Sequence, residues 1–158
     1  MPVDVRNRLR RTMVRVSVLT TMAQTILALA GEEDAELGIE LIGTCRMQGL
    51  NRQFRGVDEP TDVLAFSLRE SPGPRSSLLG DVVIAVPVAA RQAKDLGHAI
   101  DEELTRLLIH GVLHLFGYDH ERSEHEARRM RRKEKRILCA LYPLPKLVTV
   151  KKYEDDKR

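Results

Sequence analysis

Apolar residues recur along this chain with two different periods, and each period predicts one type of element. Alternation of apolar and polar residues over 37–42 predicts a half-buried strand. Residues 3–5 and 63–68 alternate in the same way. The run 78–86 is almost wholly apolar, which is typical of a strand that is buried on both faces. The chain is therefore predicted to form a small sheet of about four strands.

Helical spacing of apolar residues fills the segments between these strands. It predicts helices near 18–30, 44–54, 87–96, 101–116 and 123–141. The residues expected to cap helix N-termini are Ser17, Thr44 and Ser123. Because strands and helices intermix, we expect a single α+β or mixed α/β domain over 1–145. Residues 146–158 are predicted to form a polar, mobile tail.

The composition is that of a globular domain with a basic bias. The 158 residues are 42% hydrophobic and 31% charged, with a net charge of +3, which suits one folded domain. Arginine outnumbers lysine by 19 to 7. Guanidinium groups match phosphate geometry, so nucleic acid is one explanation for this excess; a GC-rich genome is the other. Three Phe, three Tyr and no Trp argue against extensive aromatic platforms for stacked bases.

Cysteine usage and the N-terminal segment bear on the compartment. Cys45 and Cys139 stand far apart, which is typical of reduced thiols in a cytoplasmic protein. An arginine-rich start followed by an apolar stretch ending at Ala30 resembles a signal peptide, but Thr20 and Thr21 interrupt the apolar part. No stretch approaches about 20 apolar residues, the length of a membrane span. We therefore expect a cytoplasmic protein that makes no membrane contact.

A cluster of histidines carries the most specific chemistry in the sequence. Three of the five histidines are His110, His114 and His120. Helical residues four apart lie about 40° apart around the axis and about 6 Å along it, so His110 and His114 point the same way. Gly117 supplies a left-handed residue that ends the helix, and the turn can return His120 to the other two. Three neutral imidazoles can hold a zinc ion at about 2.0–2.1 Å and leave one position open to water.

Other interpretations of this cluster stay open. The histidines could be core or surface residues that cluster by chance, or they could hold a structural zinc. Structural zinc sites usually have four ligands, often cysteines, and the sequence has no CxxC pair. The spacing also resembles the HExxHxxGxxH pattern of metzincin proteases, but Gly111 stands where their glutamate base would be. Asp119 is the candidate acceptor for a ring N–H group of these histidines.

Basic side chains concentrate on the last predicted helix, close in sequence to the histidines. A charge run of this kind is usually a solvated face, and the glutamates within it form ordinary helical ion pairs. A surface for phosphate groups is the alternative. The basic residues are Arg128, Arg129, Arg131, Arg132, Lys133, Lys135 and Arg136.

Four segments of the chain together resemble one family. They are 50–56 (LNRQFRG), 60–66 (PTDVLAF), 79–84 (LGDVVI) and 110–120 (HGVLHLFGYDH). In this order they are similar to the YbeY family of bacterial rRNA maturation factors, proposed single-strand endoribonucleases. The resemblance implies a compact α+β fold in which helices surround a small mixed sheet and the metal site lies on a helix and its following turn.

The resemblance also implies roles for particular residues. His110, His114 and His120 match the metal ligands of the family, and zinc, as one ion, is the expected metal. His114 and Arg55 are the expected catalytic residues, with Arg55 in a cleft near the metal. Asp81 is connected with partner binding or with the structure of the cleft.

The implied activity is that of a zinc-dependent endoribonuclease acting on single-stranded RNA. The resemblance implies that this activity serves the maturation of the 3′ end of the small-subunit rRNA and ribosome quality control. The expected partners are the small ribosomal subunit, one of its proteins and the Era GTPase. The alternatives are a non-catalytic ribosome-assembly factor with a structural zinc and a metalloprotease. The group that attacks the phosphodiester could be a metal-bound water or the 2′-OH group of the RNA, and the sequence leaves both open.

Overall fold

Strands and helices intermix along the computed structural model, which describes residues 3–10, 12–69 and 77–149. Within these ranges the elements, in chain order, are β1 (Val3–Asn7), α1 (Val16–Ala30), β2 (Glu36–Ile42), α2 (Thr44–Arg55), β3 (Val63–Ser67), β4 (Leu78–Ala85), α3 (Val86–Leu96), α4 (Ile100–Leu115) and α5 (Glu124–Leu141). None of these helices is both long enough and apolar enough to cross a lipid bilayer.

The strands form one mixed sheet in the order β1-β2-β4-β3. β1, β2 and β4 run parallel to one another, whereas β3 pairs with β4 in the antiparallel direction. The predicted α+β fold with a small mixed sheet of about four strands is therefore confirmed. β3 is an edge strand of this sheet.

The two faces of the sheet are covered differently. On one face Ile39 and Val82, which are register partners, are 1% and 0% exposed and belong to the main core with side chains of α1 and α4. The opposite face carries a smaller apolar cluster that includes Met47 of α2 and Val83 of β4. β4 is thus buried on both faces over most of its length, as its continuous apolar run predicted.

Helix α4 packs directly on the sheet. Its residues Val112 and Leu113 are 0% exposed, and its acidic first turn suits the positive end of the helix dipole, as predicted. Gly111 lies against β4, because a Cβ atom added there would be only 2.7 Å from Cγ1 of Val82. The missing side chain at position 111 therefore allows the helix to lie close to the strand.

The segment after α5 is part of the folded domain as far as Thr149. Leu147 and Val148 are 0% and 4% exposed, and Val148 forms an antiparallel bridge with Val14. The carboxylate of Asp101 accepts the backbone N–H groups of Leu147 and Val148 at 2.7 and 3.1 Å. The prediction that a mobile tail begins at residue 146 is therefore wrong for 147–149, since Leu147 and Val148 bury their side chains and the backbone N–H of Thr149 donates to the carbonyl of Met13. Residues 150–158 of that predicted tail lie outside the described residues.

Two of the three predicted N-caps are also wrong. Ser17 lies inside α1, Thr44 is the first residue of α2, and neither helix has a side-chain cap. Before α1 the chain is held instead by its pairing with the C-terminal segment. The Ser123 prediction is confirmed, because its hydroxyl accepts the N–H of Glu126 at 3.1 Å.

We predict that Gly111→Ala destabilises the protein by about 1–3 kcal/mol, because the added methyl group overlaps Val82 in a packed core. Gly49→Ala is the matched control. Gly49 lies inside α2, and a Cβ atom there would meet no heavy atom within 4 Å, so the free energy of unfolding should rise by about 0.5–1 kcal/mol. Urea unfolding measures both variants. Equal stability of Gly111→Ala and the wild type would contradict the close contact of α4 with β4.

Candidate metal centre

The end of α4 and the turn after it bring three histidines together. His110 and His114 lie in the last turns of α4. Gly117 has a φ of 99° and reverses the chain, and the N–H of Tyr118 donates to the carbonyl of Leu113 at 3.1 Å, which closes the helix end. The turn then carries His120 back, so that one ring nitrogen from each histidine lies within 4.8 Å of the others.

The spacing of these nitrogens fits a tetrahedral metal ion. The Nε2 atoms of His110 and His114 are 3.2 Å apart. Two ligands at about 2.0–2.1 Å from a tetrahedral ion would be separated by about 3.3–3.4 Å. The centroid of the His120 ring is 5.2 and 5.1 Å from those of the other two rings. The donor set is three imidazoles on one side of a cleft, which leaves the other side open.

Glu134 orients one of these histidines. The Nδ1–H group of His110 donates to the Glu134 carboxylate at 2.6 Å, and this bond leaves Nε2 of His110 as the acceptor atom that faces His114. A carboxylate in this position fixes the ring orientation and makes the free nitrogen a stronger metal ligand. Glu134 belongs to α5, so the bond also joins α5 to α4.

The sequence suggested a different acceptor. Asp119 lines the same cleft as the histidines, but its Oδ1 atom accepts the backbone N–H of Glu121 at 2.9 Å. The sequence does not identify Glu134 as the acceptor for His110, because the two residues are 24 positions apart and Glu134 lies in a stretch of helical ion pairs. No local pattern in the sequence marks it.

His114 favours its neutral form, which is the form that binds a metal. Burial lowers the pKa of His114 below its ordinary value of 6.5, and the adjacent His110 and His120 lower it further. Asp119 and Glu134 act in the opposite direction, with smaller effects. The imidazole of His114 is therefore available as a ligand at neutral pH.

Arg55 lies in the same cleft as the histidines. The cleft has a volume of about 500 Å³, and its other walls come from the loop before β3 and from the β3 residues that face α4. α2 ends after Arg55 at Gly56, which has a φ of 72°. The following loop is held back against α2 by the Asn51 side chain, which donates to the carbonyl of Glu59 at 2.8 Å. The structure thus brings Arg55 to the histidines from a distant part of the chain.

Asp81 does not line this cleft. It is the register partner of Phe66 on β3, and alternation along that strand directs Phe66 and Asp81 away from the face on which Ala65 meets the histidine cleft. Asp81 lines a smaller groove of about 190 Å³ on the opposite side of the sheet, together with Arg6 and Arg46. Asp81 therefore lies outside the lining of the histidine cleft, and its connection with partner binding or with the structure of the cleft stays a prediction.

Gly111 lines the cleft at the position of the metzincin glutamate. Its contact with Val82 leaves no room for a side chain, so the packing of α4 on β4 excludes a carboxylate at that position. The protease interpretation therefore lacks its base for a structural reason as well as a sequence reason.

We predict that Glu134→Gln weakens metal binding about 10- to 100-fold, because an amide is a weaker acceptor for the Nδ1–H group of His110 than a carboxylate. Glu124→Gln removes the same charge from an exposed position on the same helix and serves as the control. Competition with a chelator, followed by zinc titration, measures both affinities. Equal loss in the two variants would assign the effect to charge alone.

We also predict that His114 in the metal-free protein titrates below pH 6.5, since burial is the largest influence on its pKa. The unfolded chain then binds this proton more readily than the folded protein does. The resulting contribution to stability is present above pH 6.5 and is lost as the pH falls through the pKa of the folded state. An NMR titration of the ring protons of His114 measures this, and a pKa at or above 6.5 would contradict it.

Comparison with known proteins identifies relatives along nearly the whole domain. The profile of the family described as Endoribonuclease YbeY matches residues 4–142. The chain is 52% identical to an Endoribonuclease YbeY of Anaeromyxobacter sp. over 122 residues, which are 77% of this chain and 62% of that protein. It is 41% identical to the Endoribonuclease YbeY of Geobacter sulfurreducens over 144 residues, which are 89% of this chain and 96% of that protein.

The fold has a relative among solved structures as well. The solution structure of a Thermotoga maritima protein matches with a TM-score of 0.61 at 25% identity and covers 86% of each chain. The chain spans less than two thirds of the Anaeromyxobacter protein but nearly all of the Geobacter one. Since the family profile runs from β1 to the residue after α5, it takes in the whole sheet, all five described helices and the histidine turn, and the chain belongs to the YbeY family.

Proposed function

We propose that this protein is a zinc-dependent endoribonuclease that cleaves single-stranded RNA. The observation that carries the proposal is the shared cleft, in which Arg55 and the three histidines face one space. Relatives named Endoribonuclease YbeY support the reaction class. We extend the proposal to maturation of the 3′ end of the small-subunit rRNA and to ribosome quality control in the cytoplasm.

His110, His114 and His120 are the proposed ligands of one zinc ion. The fit rests on the neutral donor set, the 3.2 Å separation of two Nε2 atoms and the carboxylate behind His110. When bound, zinc supplies a Lewis acid and lowers the pKa of a coordinated water to about 7. The task of these residues is to hold the ion on one wall of the cleft and to leave the side toward Arg55 open.

Arg55 is the proposed phosphate-binding group. Its guanidinium presents several N–H donors in one plane, which can contact two oxygens of a phosphodiester at once. Arg55 makes no salt bridge to a carboxylate in the described part of the chain, so its donors are available. Aimed into the cleft, the group would stabilise the negative charge that develops on the phosphate during cleavage.

Helix α5 is a candidate surface for the rest of the RNA. Its exposed basic residues include Arg128, Arg131 and Arg132, and its Glu134 is bonded to His110, so the basic helix is joined to the site. We propose that these side chains contact phosphates of the rRNA. The proposed partners remain the small ribosomal subunit, one of its proteins and the Era GTPase.

A non-catalytic assembly factor is the second candidate. The His110–Glu134 bond links α4 to α5, so a metal held by His110 would also stabilise the packing of these helices. Under this alternative, removal of zinc by a chelator should unfold the protein. Under the nuclease proposal, the fold should persist, since the main core lies between the sheet, α1 and α4.

We predict that His114→Ala abolishes cleavage of single-stranded RNA while the far-UV circular dichroism spectrum stays that of the wild type. Arg55→Glu should lower the turnover about a hundredfold or more, because it replaces a donor to the phosphate by a negative charge. Arg52→Glu makes the same change about one helical turn earlier in α2, at a residue that does not line the cleft, and should retain most of the activity. Normal cleavage by both His114→Ala and Arg55→Glu would refute the nuclease proposal.

A further inference from the structure

Two phenylalanines form an aromatic pair beside the cleft. The ring of Phe54, at the end of α2, contacts the ring of Phe66 on β3, with centroids 5.0 Å apart and planes at 67°. Phe54 is nonetheless 57% exposed. The chain contains only three phenylalanines, and large apolar side chains are more often buried. The exposure of the Phe54 ring therefore needs an explanation.

The pair is rigidly supported from the sheet. Phe66 packs against the smaller apolar cluster, which contains Leu64 and Val83. Phe54 rests on Phe66 in the edge-to-face arrangement that aromatic rings prefer. One ring is thus fixed by the core, and the other is placed on it with most of its surface toward solvent.

The pair and the cleft lie on the two sides of strand β3. Ala65 and Ser67 line the histidine cleft, and Phe66 between them points to the other face of the strand. On α2, Phe54 directly precedes Arg55, which lines the cleft. A bound strand that places a phosphate against Arg55 can therefore reach the exposed ring by crossing the edge of the sheet at β3.

We propose that Phe54, supported by Phe66, is a stacking site for one nucleobase of single-stranded RNA. The base would belong to a nucleotide close to the one whose phosphate contacts Arg55, so this inference rests on the proposed function. Stacking on an aromatic face accepts any base. An unpaired base can be splayed out onto the ring, whereas a base within a duplex is already stacked and paired. The site would therefore favour single strands over double strands.

The test measures RNA binding in variants that change the ring alone. Fluorescence anisotropy with a fluorescein-labelled oligouridylate and with an RNA duplex is recorded in the full-length His114→Ala protein, which keeps Phe54 and Arg55 and should not cleave the RNA. Phe54→Leu should weaken single-strand binding about tenfold and leave duplex binding unchanged. Phe54→Tyr should retain the affinity. Val57→Ala, which truncates an exposed apolar residue of the adjoining loop, is the matched control and should also retain it.

An oligouridylate with one abasic nucleotide makes the test specific to stacking. At one position along the oligonucleotide, loss of the base should weaken binding to the protein with Phe54 and cause no further loss in Phe54→Leu. Equal affinity of Phe54→Leu and its parent for all RNAs, or equal losses for single strands and duplex, would overturn the stacking site and leave the pair as a surface for another protein.

Cleavage by the wild type, assayed in parallel, separates the two proposals. If the wild type cleaves RNA while Phe54→Leu binds normally, the stacking site alone fails; if the wild type neither binds nor cleaves, the nuclease proposal fails with it.

Discussion

The close contact between α4 and β4 is the constraint on which the site depends. A Cβ atom at position 111 would lie 2.7 Å from Cγ1 of Val82, so α4 can approach β4 this closely only because residue 111 is a glycine. Most residues of α4 between Glu103 and Leu115 are buried. Because α4 is held against the sheet, the two histidines in its last turns are fixed relative to β3, which forms the opposite wall of the cleft. The same contact excludes a glutamate beside His110. The metal cradle therefore resembles that of a protease in spacing, but the packing that supports it removes the base on which proteolysis depends.

Bonds from distant elements complete the site. The Glu134 carboxylate sets the tautomer of His110 from α5, and Arg55 enters from the end of α2, where Gly56 and the loop hydrogen bond of Asn51 stop the helix. The result is a cleft with three histidines that can hold a cation on one wall and with Arg55 in the lining of the same space. A phosphodiester has negative oxygens for both groups, which is the physical reason that a nuclease fits this geometry better than a hydrolase for neutral substrates.

The position of β3 at the edge of the sheet extends this arrangement. Side chains alternate between the two faces of β3. Ala65 lies on the face toward the histidines, and Phe66 lies on the face toward the aromatic pair. An unpaired base can be splayed out onto an exposed ring at such an edge, whereas a duplex keeps its bases stacked inside. Under the proposed stacking site, selectivity for single strands would follow from the shape of this surface and would not require contacts that distinguish one base from another.

Local periodicity in the sequence determined most of the fold and the centre of the site. Alternating and helical patterns located the four strands and the five helices to within a few residues, and the spacing of His110, His114 and His120 around Gly117 sufficed to place three imidazoles together, because a helix and one turn have fixed geometry. Only the tertiary structure decided what depends on contacts between distant segments. In the folded chain Glu134 is hydrogen-bonded to His110, and Leu147 and Val148 are packed into the core. Asp81 lies on the side of the sheet opposite the histidine cleft. Such contacts carry no period and no local motif, since they are selected by the burial and hydrogen bonding of the whole chain rather than by the residues beside them.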